Sequence, residues 1–150
     1  MSSQEPILLI EDNPLDIENI KKALKATEIK YPLVCISTCE KALDFLSDRK
    51  NLLPWLILLG LNEQKSDDLN FLKTIKMNEN LQQIPVIIFS FSNEQCNVVK
   101  SFKLGVAGYM IKSEDVSKLT ETIKIILKYW TLSELPPVGD RFYENVYYLS

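Results

Sequence analysis

Short apolar runs alternate five times with stretches whose apolar residues recur every three or four positions, from one end of the chain to the other. Ile7-Leu8-Leu9-Ile10 reads as a first strand bounded by Glu11-Asp12. Asn13-Pro14 then supplies a helix N-cap and a proline at the first helical position, and Ile17, Ile20 and Leu24 share one stripe running to about Thr27. Residues 32–37 form a second strand, placed at an edge by the proline that opens it. Ser37 with Glu40 predicts a capping box, opening a helix that turns Ala42, Leu43 and Leu46 inward. A third strand over residues 55–60 gives way to a polar loop, 61–66, and a helix with Leu69, Leu72 and Ile75 inside. Pro85 opens the fourth strand, Val86-Ile87-Ile88-Phe89, which ends at Ser90. Ser92 and Gln95 predict a second capping box, with Cys96, Val99 and Phe102 lining the next helix. Gly105 and Gly108 bracket a turn before a fifth strand, Tyr109-Met110-Ile111. Val116, Leu119, Ile123, Ile126 and Trp130 mark the last helix, and Pro136-Pro137 ends regular structure.

This alternation predicts an α/β domain: a doubly wound, five-stranded parallel sheet with helices on both faces. Residues 1–130 are expected to form the domain, followed by an aromatic extension, 131–150. Phe142, Tyr143, Val146, Tyr147, Tyr148 and Leu149 make that extension too apolar for a solvated tail, so it is expected to dock on its own domain or at a dimer interface. The 150 residues, 46% apolar and 25% charged, suit one globular core. A net charge of −3 lacks the excess of Lys and Arg that phosphate backbones require, so no nucleic-acid partner is expected. The absence of histidine excludes imidazole-based catalysis and Cys/His zinc sites. Cys35, Cys39 and Cys96 read as reduced, partly buried thiols. Without an apolar run of ~18 residues or a signal-like start, the chain is expected in the cytoplasm and off the membrane.

In an open parallel sheet the carboxyl ends of the strands line one crevice. The residues that fall there are Glu11, Asp12, Gly60, Ser90 and Lys112. Oxygens of the acidic pair suit a hard cation, while Lys and Ser suit phosphoryl oxygens. The bland alternative is that the carboxylates are solvated, Lys112 pairs with Asp12 and Ser90 bonds backbone groups.

In order, these pieces resemble the receiver domain of two-component response regulators. The matching segments are Leu8-Leu9-Ile10-Glu11-Asp12-Asn13, Leu56 to Asn62, Ile87-Ile88-Phe89-Ser90 and Gly108-Tyr109-Met110-Ile111-Lys112. The likeness is greatest to the stand-alone regulators associated with cyanobacterial phytochromes: the Glu-Asp pair, residues 78–83 before Pro85, Lys112-Ser113 and the aromatic tail all match. It implies a flavodoxin-like strand order 2-1-3-4-5, a switch hydroxyl at Ser90 and a switch aromatic at Tyr109. It also implies a sensor histidine kinase or phytochrome-like partner, and a homodimer through Val98, Phe102, Tyr109, Ile125 and Tyr129. At the position of the phosphoacceptor aspartate stands Gly60, which has no side chain to phosphorylate. The implied magnesium ligands shrink to Asp12 directly, Glu11 in the outer shell and the Asn62 carbonyl, so no tightly bound cofactor is expected and Mg2+ only weakly.

Three explanations of Gly60 compete: a single engineered or accidental change, transfer of the role to Glu63, Asp67 or Asp68, or a degenerate receiver that signals by protein contact alone. The last is favoured, because Gln64 and Asp67-Asp68 also depart from the family's loop. The chain then reads as a signalling protein and not an enzyme. The alternatives are a functioning phosphoreceiver and a small-ligand binder in the sheet crevice.

Overall fold

The computed structural model describes residues 5–28, 30–61, 66–91 and 95–132. The elements alternate strictly: β1 (Ile7–Ile10), α1 (Pro14–Ala26), β2 (Leu33–Ile36), α2 (Cys39–Ser47), β3 (Leu56–Leu61), α3 (Ser66–Met77), β4 (Val86–Ser90), α4 (Gln95–Lys103), β5 (Gly108–Ile111) and α5 (Val116–Leu132). All pairings are parallel, in the order β2-β1-β3-β4-β5. This is the expected doubly wound sheet, with β2 at an edge. The aromatic extension beyond residue 132, the box at Ser92 and the side chains of Cys96 and Val99 lie outside the described residues.

Because successive strand side chains point to opposite faces, the sheet builds two cores. Leu8, Ile10, Ile57, Leu59, Val86 and Ile88 pack against α2 and α3 through Ala42, Leu46, Phe71, Leu72 and Ile75. Ile7, Leu9, Leu56, Leu58, Ile87 and Phe89 pack on the other face against Ile20 and Ala23 of α1 and Leu119, Ile123, Ile126 and Leu127 of α5. Truncating any of these large side chains to Ala costs about 2–5 kcal/mol.

The helix ends refine several expectations. Asn13 caps α1 as predicted, its Oδ1 accepting from the amides of Leu15 and Asp16 at 3.0 and 3.2 Å. The cap of α2 is Thr38 and not Ser37: extended backbone at Thr38 aims its Oγ1 at the Lys41 amide, 3.2 Å away. In α3 the buried stripe is Phe71, Leu72 and Ile75, with Leu69 only half-buried. In α4 Phe102 is exposed, correcting its inward placement, and Ser101 faces the core instead. α4 stops at Gly105, whose φ of 86° is the left-handed conformation that closes a helix. The Val106 amide then reaches back to the Ser101 carbonyl and the Gly105 amide to that of Phe102. Cys35, expected partly buried, is exposed on the edge strand, whereas Cys39 is buried.

Candidate functional site at the carboxyl edge of the sheet

Strand register brings the sequence-selected residues together. Ile10 lies opposite Leu59, so Glu11 leaves β1 beside Gly60; Ser90 pairs with Leu61 on one side and Ile111 on the other. β3 continues one residue past the expected end, placing Gly60 inside the strand. The Lys112 amide donates to the Ser90 carbonyl at 2.7 Å, which anchors the chain leaving β5 against β4.

The lysine is the centre of the charge arrangement. Its Nζ lies 3.0 Å from Glu11 Oε1 and 3.0 Å from Asp16 Oδ2. Among the described residues the carboxylates that hold the ammonium are Glu11 and Asp16, where the sequence suggested Asp12, whose side chain is exposed. The Lys112 side chain is 5% exposed, that of Glu11 0% and that of Asp16 15%, so little water screens the pairs. Asp16 owes its position to the Asn13-Pro14 cap, which sets it in the first turn of α1, where the helix dipole favours a carboxylate. The ring of Phe91, itself half-exposed, lies over the ammonium with its centroid 5.3 Å from Nζ.

Burial drives the Glu11 carboxyl above its ordinary value of 4.5; Lys112 opposes that shift, and the neighbouring Asp16 carboxyl adds to it. Two carboxylates thus share one ammonium in a place that disfavours charge.

Toward β2 the same edge opens into a cavity of about 370 Å³. Asp12, Thr38, Glu40 and Asp68 contribute polar walls, Leu43 and Phe71 apolar ones, and Glu11 and Gly60 form its boundary with the lysine. The Cys39 thiol donates to Asp68 Oδ1 at 3.1 Å. Asp67 and Asp68 belong to the first turn of α3 and not to the preceding loop. Glu63 and Asn62 lie outside the described residues.

Tyr109 is half-buried against the core that faces α2 and α3. Of the other residues expected on the α4-β5-α5 face, Phe102, Ile125 and Tyr129 are 50%, 66% and 62% exposed, and Val98 is half-buried. Ile111 adds a further exposed apolar group, 49% exposed.

The described residues do not fit the divalent cation that the resemblance implies. Glu11 is engaged by Lys112, Gly60 offers no oxygen from a side chain, and among the described residues no three acidic, Cys or His side chains are placed to share a metal.

This fold and edge chemistry define a class. Residues 7–124 match the response regulator receiver domain. The chain belongs to that family. Among characterised relatives it is 32% identical to the response regulator Rcp1 of Synechocystis sp., over 83% of this chain and 87% of the relative. The crystal structure of the phosphorylated cyanobacterial phytochrome response regulator RcpA is similar at a TM-score of 0.79 and 32% identity, covering 89% of this chain and 99% of that one. The Mn(2+)-bound form of Rcp1 superposes at 0.78 with 31% identity and the same coverage. No helix among the described residues is long and apolar enough to cross a membrane.

Proposed function

We propose that this chain is a degenerate receiver: a two-component signalling domain that keeps the receiver fold and its protein-binding surfaces and operates without phosphoryl transfer at residue 60. The observation that carries this reading is Gly60 itself, a residue without a side chain beside Glu11 and Lys112 where the family's acceptor would stand. The lysine that would meet a phosphoryl group is instead enclosed by two carboxylates. Takeover by Asp68 is disfavoured by its place in α3 and its bond to Cys39.

Ser90, Tyr109 and Lys112 are then remnants of the switch. With no phosphoryl group to bias Ser90, the setting of Tyr109 follows partner binding. The natural partner by similarity is a sensor histidine kinase or phytochrome-like protein, as the names of the relatives suggest. The exposed Phe102, Ile125 and Tyr129 support a homodimer through the α4-β5-α5 face, with the segment after residue 132 contributing. Residues 1–130 serve as the single receiver domain.

Incubation with acetyl phosphate and Mg2+, followed by intact-mass measurement, tests the reading. The expected mass is unchanged; a stable gain of one phosphoryl group contradicts it. Light scattering at micromolar concentration should give twice 17.3 kDa for the dimer.

A further inference from the structure

Glu11 occupies a place that its own strand does not explain. A Cβ built on Gly60 would overlap Glu11 Oε2 and lie 2.7 Å from its Cδ. The carboxylate therefore fills the volume that any side chain at residue 60 would enter. From that volume it meets Lys112 at 3.0 Å, with its own side chain fully buried.

We propose that Glu11 is a built-in replacement for the missing strand-end carboxylate, reaching across from β1 into the space left by Gly60 to serve as the counter-ion of Lys112. The inference rests on the degenerate-receiver reading of Gly60. An ammonium only 5% exposed needs a counter-charge within contact distance, because an unpaired buried charge is strongly destabilising. Asp16 supplies one from the α1 side. Glu11 supplies the other from the sheet side, in a position that a side chain at residue 60 would force it to leave.

Gly60 and Glu11 thus form a matched pair. Each explains the other: the glycine makes space, and the glutamate returns the charge that the glycine removed. The pairing also accounts for the poor fit to a divalent cation. The carboxylate that would face a cation from β1 is turned toward the lysine, and a positive ion beside it would have to compete with a covalently tethered ammonium.

Relocating the carboxylate tests this directly, by thermal unfolding of the full chain at pH 7. Glu11→Ala should lower the midpoint by ~5 °C or more. Gly60→Asp in the presence of Glu11 should also lower it, since two carboxylates then compete for one space and one ammonium. The double variant Glu11→Ala/Gly60→Asp should unfold above both single variants, because the carboxylate is restored to the same volume from the neighbouring strand. The neutral control Glu11→Ala/Gly60→Asn should show no such recovery. Equal midpoints for the two double variants, or a Gly60→Asp chain as stable as the parent, would overturn the proposal. Should Glu11→Ala fail to fold alone, folding regained with Gly60→Asp and not with Gly60→Asn supports it, and failure of both overturns it. None of these readouts involves phosphorylation, so a labelled parent chain would refute the degenerate-receiver reading separately.

Discussion

The two flanks of the crevice are built from the same kinds of residue and behave oppositely. Toward β5, Lys112 meets Glu11 and Asp16 in 3.0 Å contacts with little exposure of the three side chains, and the half-exposed ring of Phe91 lies over the ammonium. Toward β2, Asp12, Thr38, Glu40 and Asp68 line an open cavity. Acidic residues stand on both sides, so composition does not separate them. What separates them is a cation: the β5 flank has a lysine delivered by its strand, and the acids there collapse onto it. The lesson is that the same kinds of side chain close up or stay open according to whether a cation stands among them.

The comparison breaks most visibly if the lysine is removed. Lys112→Met takes the ammonium away from the buried Glu11 and the partly buried Asp16, and urea unfolding at pH 7 should show a loss of about 3 kcal/mol or more. The loss should shrink at pH 4, where one carboxyl holds a proton. Next is the pH dependence of the parent chain. Glu11 has its carboxyl raised by burial, so the folded state holds a proton that the unfolded chain releases near 4.5. Its stabilising contribution is therefore fully present below that value and is lost as pH rises through the higher folded value. Glu11→Gln should lack this fall, and the gap in stability between parent and variant, followed by chemical denaturation across pH 4–8, should move against the parent as pH rises.

On the open flank the effects should be smaller. Thr38→Ala removes the α2 cap and should lower stability by about 1 kcal/mol, whereas Ser37→Ala should change nothing measurable, a contrast that denaturant midpoints resolve. Smallest of all, Phe91→Leu should lower stability by about 0.5 kcal/mol through loss of the ring beside Lys112, read from the same midpoints.

The sequence made the sheet legible because each strand is a short apolar run and each helix carries its own stripe. It also set Glu11, Asp12, Gly60, Ser90 and Lys112 at the ends of their strands, and the parallel register of β1, β3, β4 and β5 puts those ends along one edge. Local choices were harder to read. Ser37 and Thr38 are both able caps, and only the extended backbone at Thr38 decides between them. Phe71 was passed over because Leu69, Leu72 and Ile75 already make a plausible stripe, although burial favours the larger ring. Asp16 carries no signal of its own in the sequence; its reach to Lys112 depends on how α1 packs beside α5, a contact about a hundred residues apart in the chain. The position of Glu11 was least accessible of all. It depends on an absence, the missing side chain of Gly60, seen from the neighbouring strand.

The most direct measurement is an NMR titration of the uniformly 15N-labelled chain with Mg2+ and then beryllium fluoride, a phosphoryl mimic, following the amides of Gly60, Ser90 and Lys112. If Glu11 fills the space at Gly60 and holds the lysine, these amides should show no saturable, site-specific shift with either addition. A saturable shift of all three, requiring Mg2+ and completed by beryllium fluoride, would contradict the account and restore a working phosphoryl site.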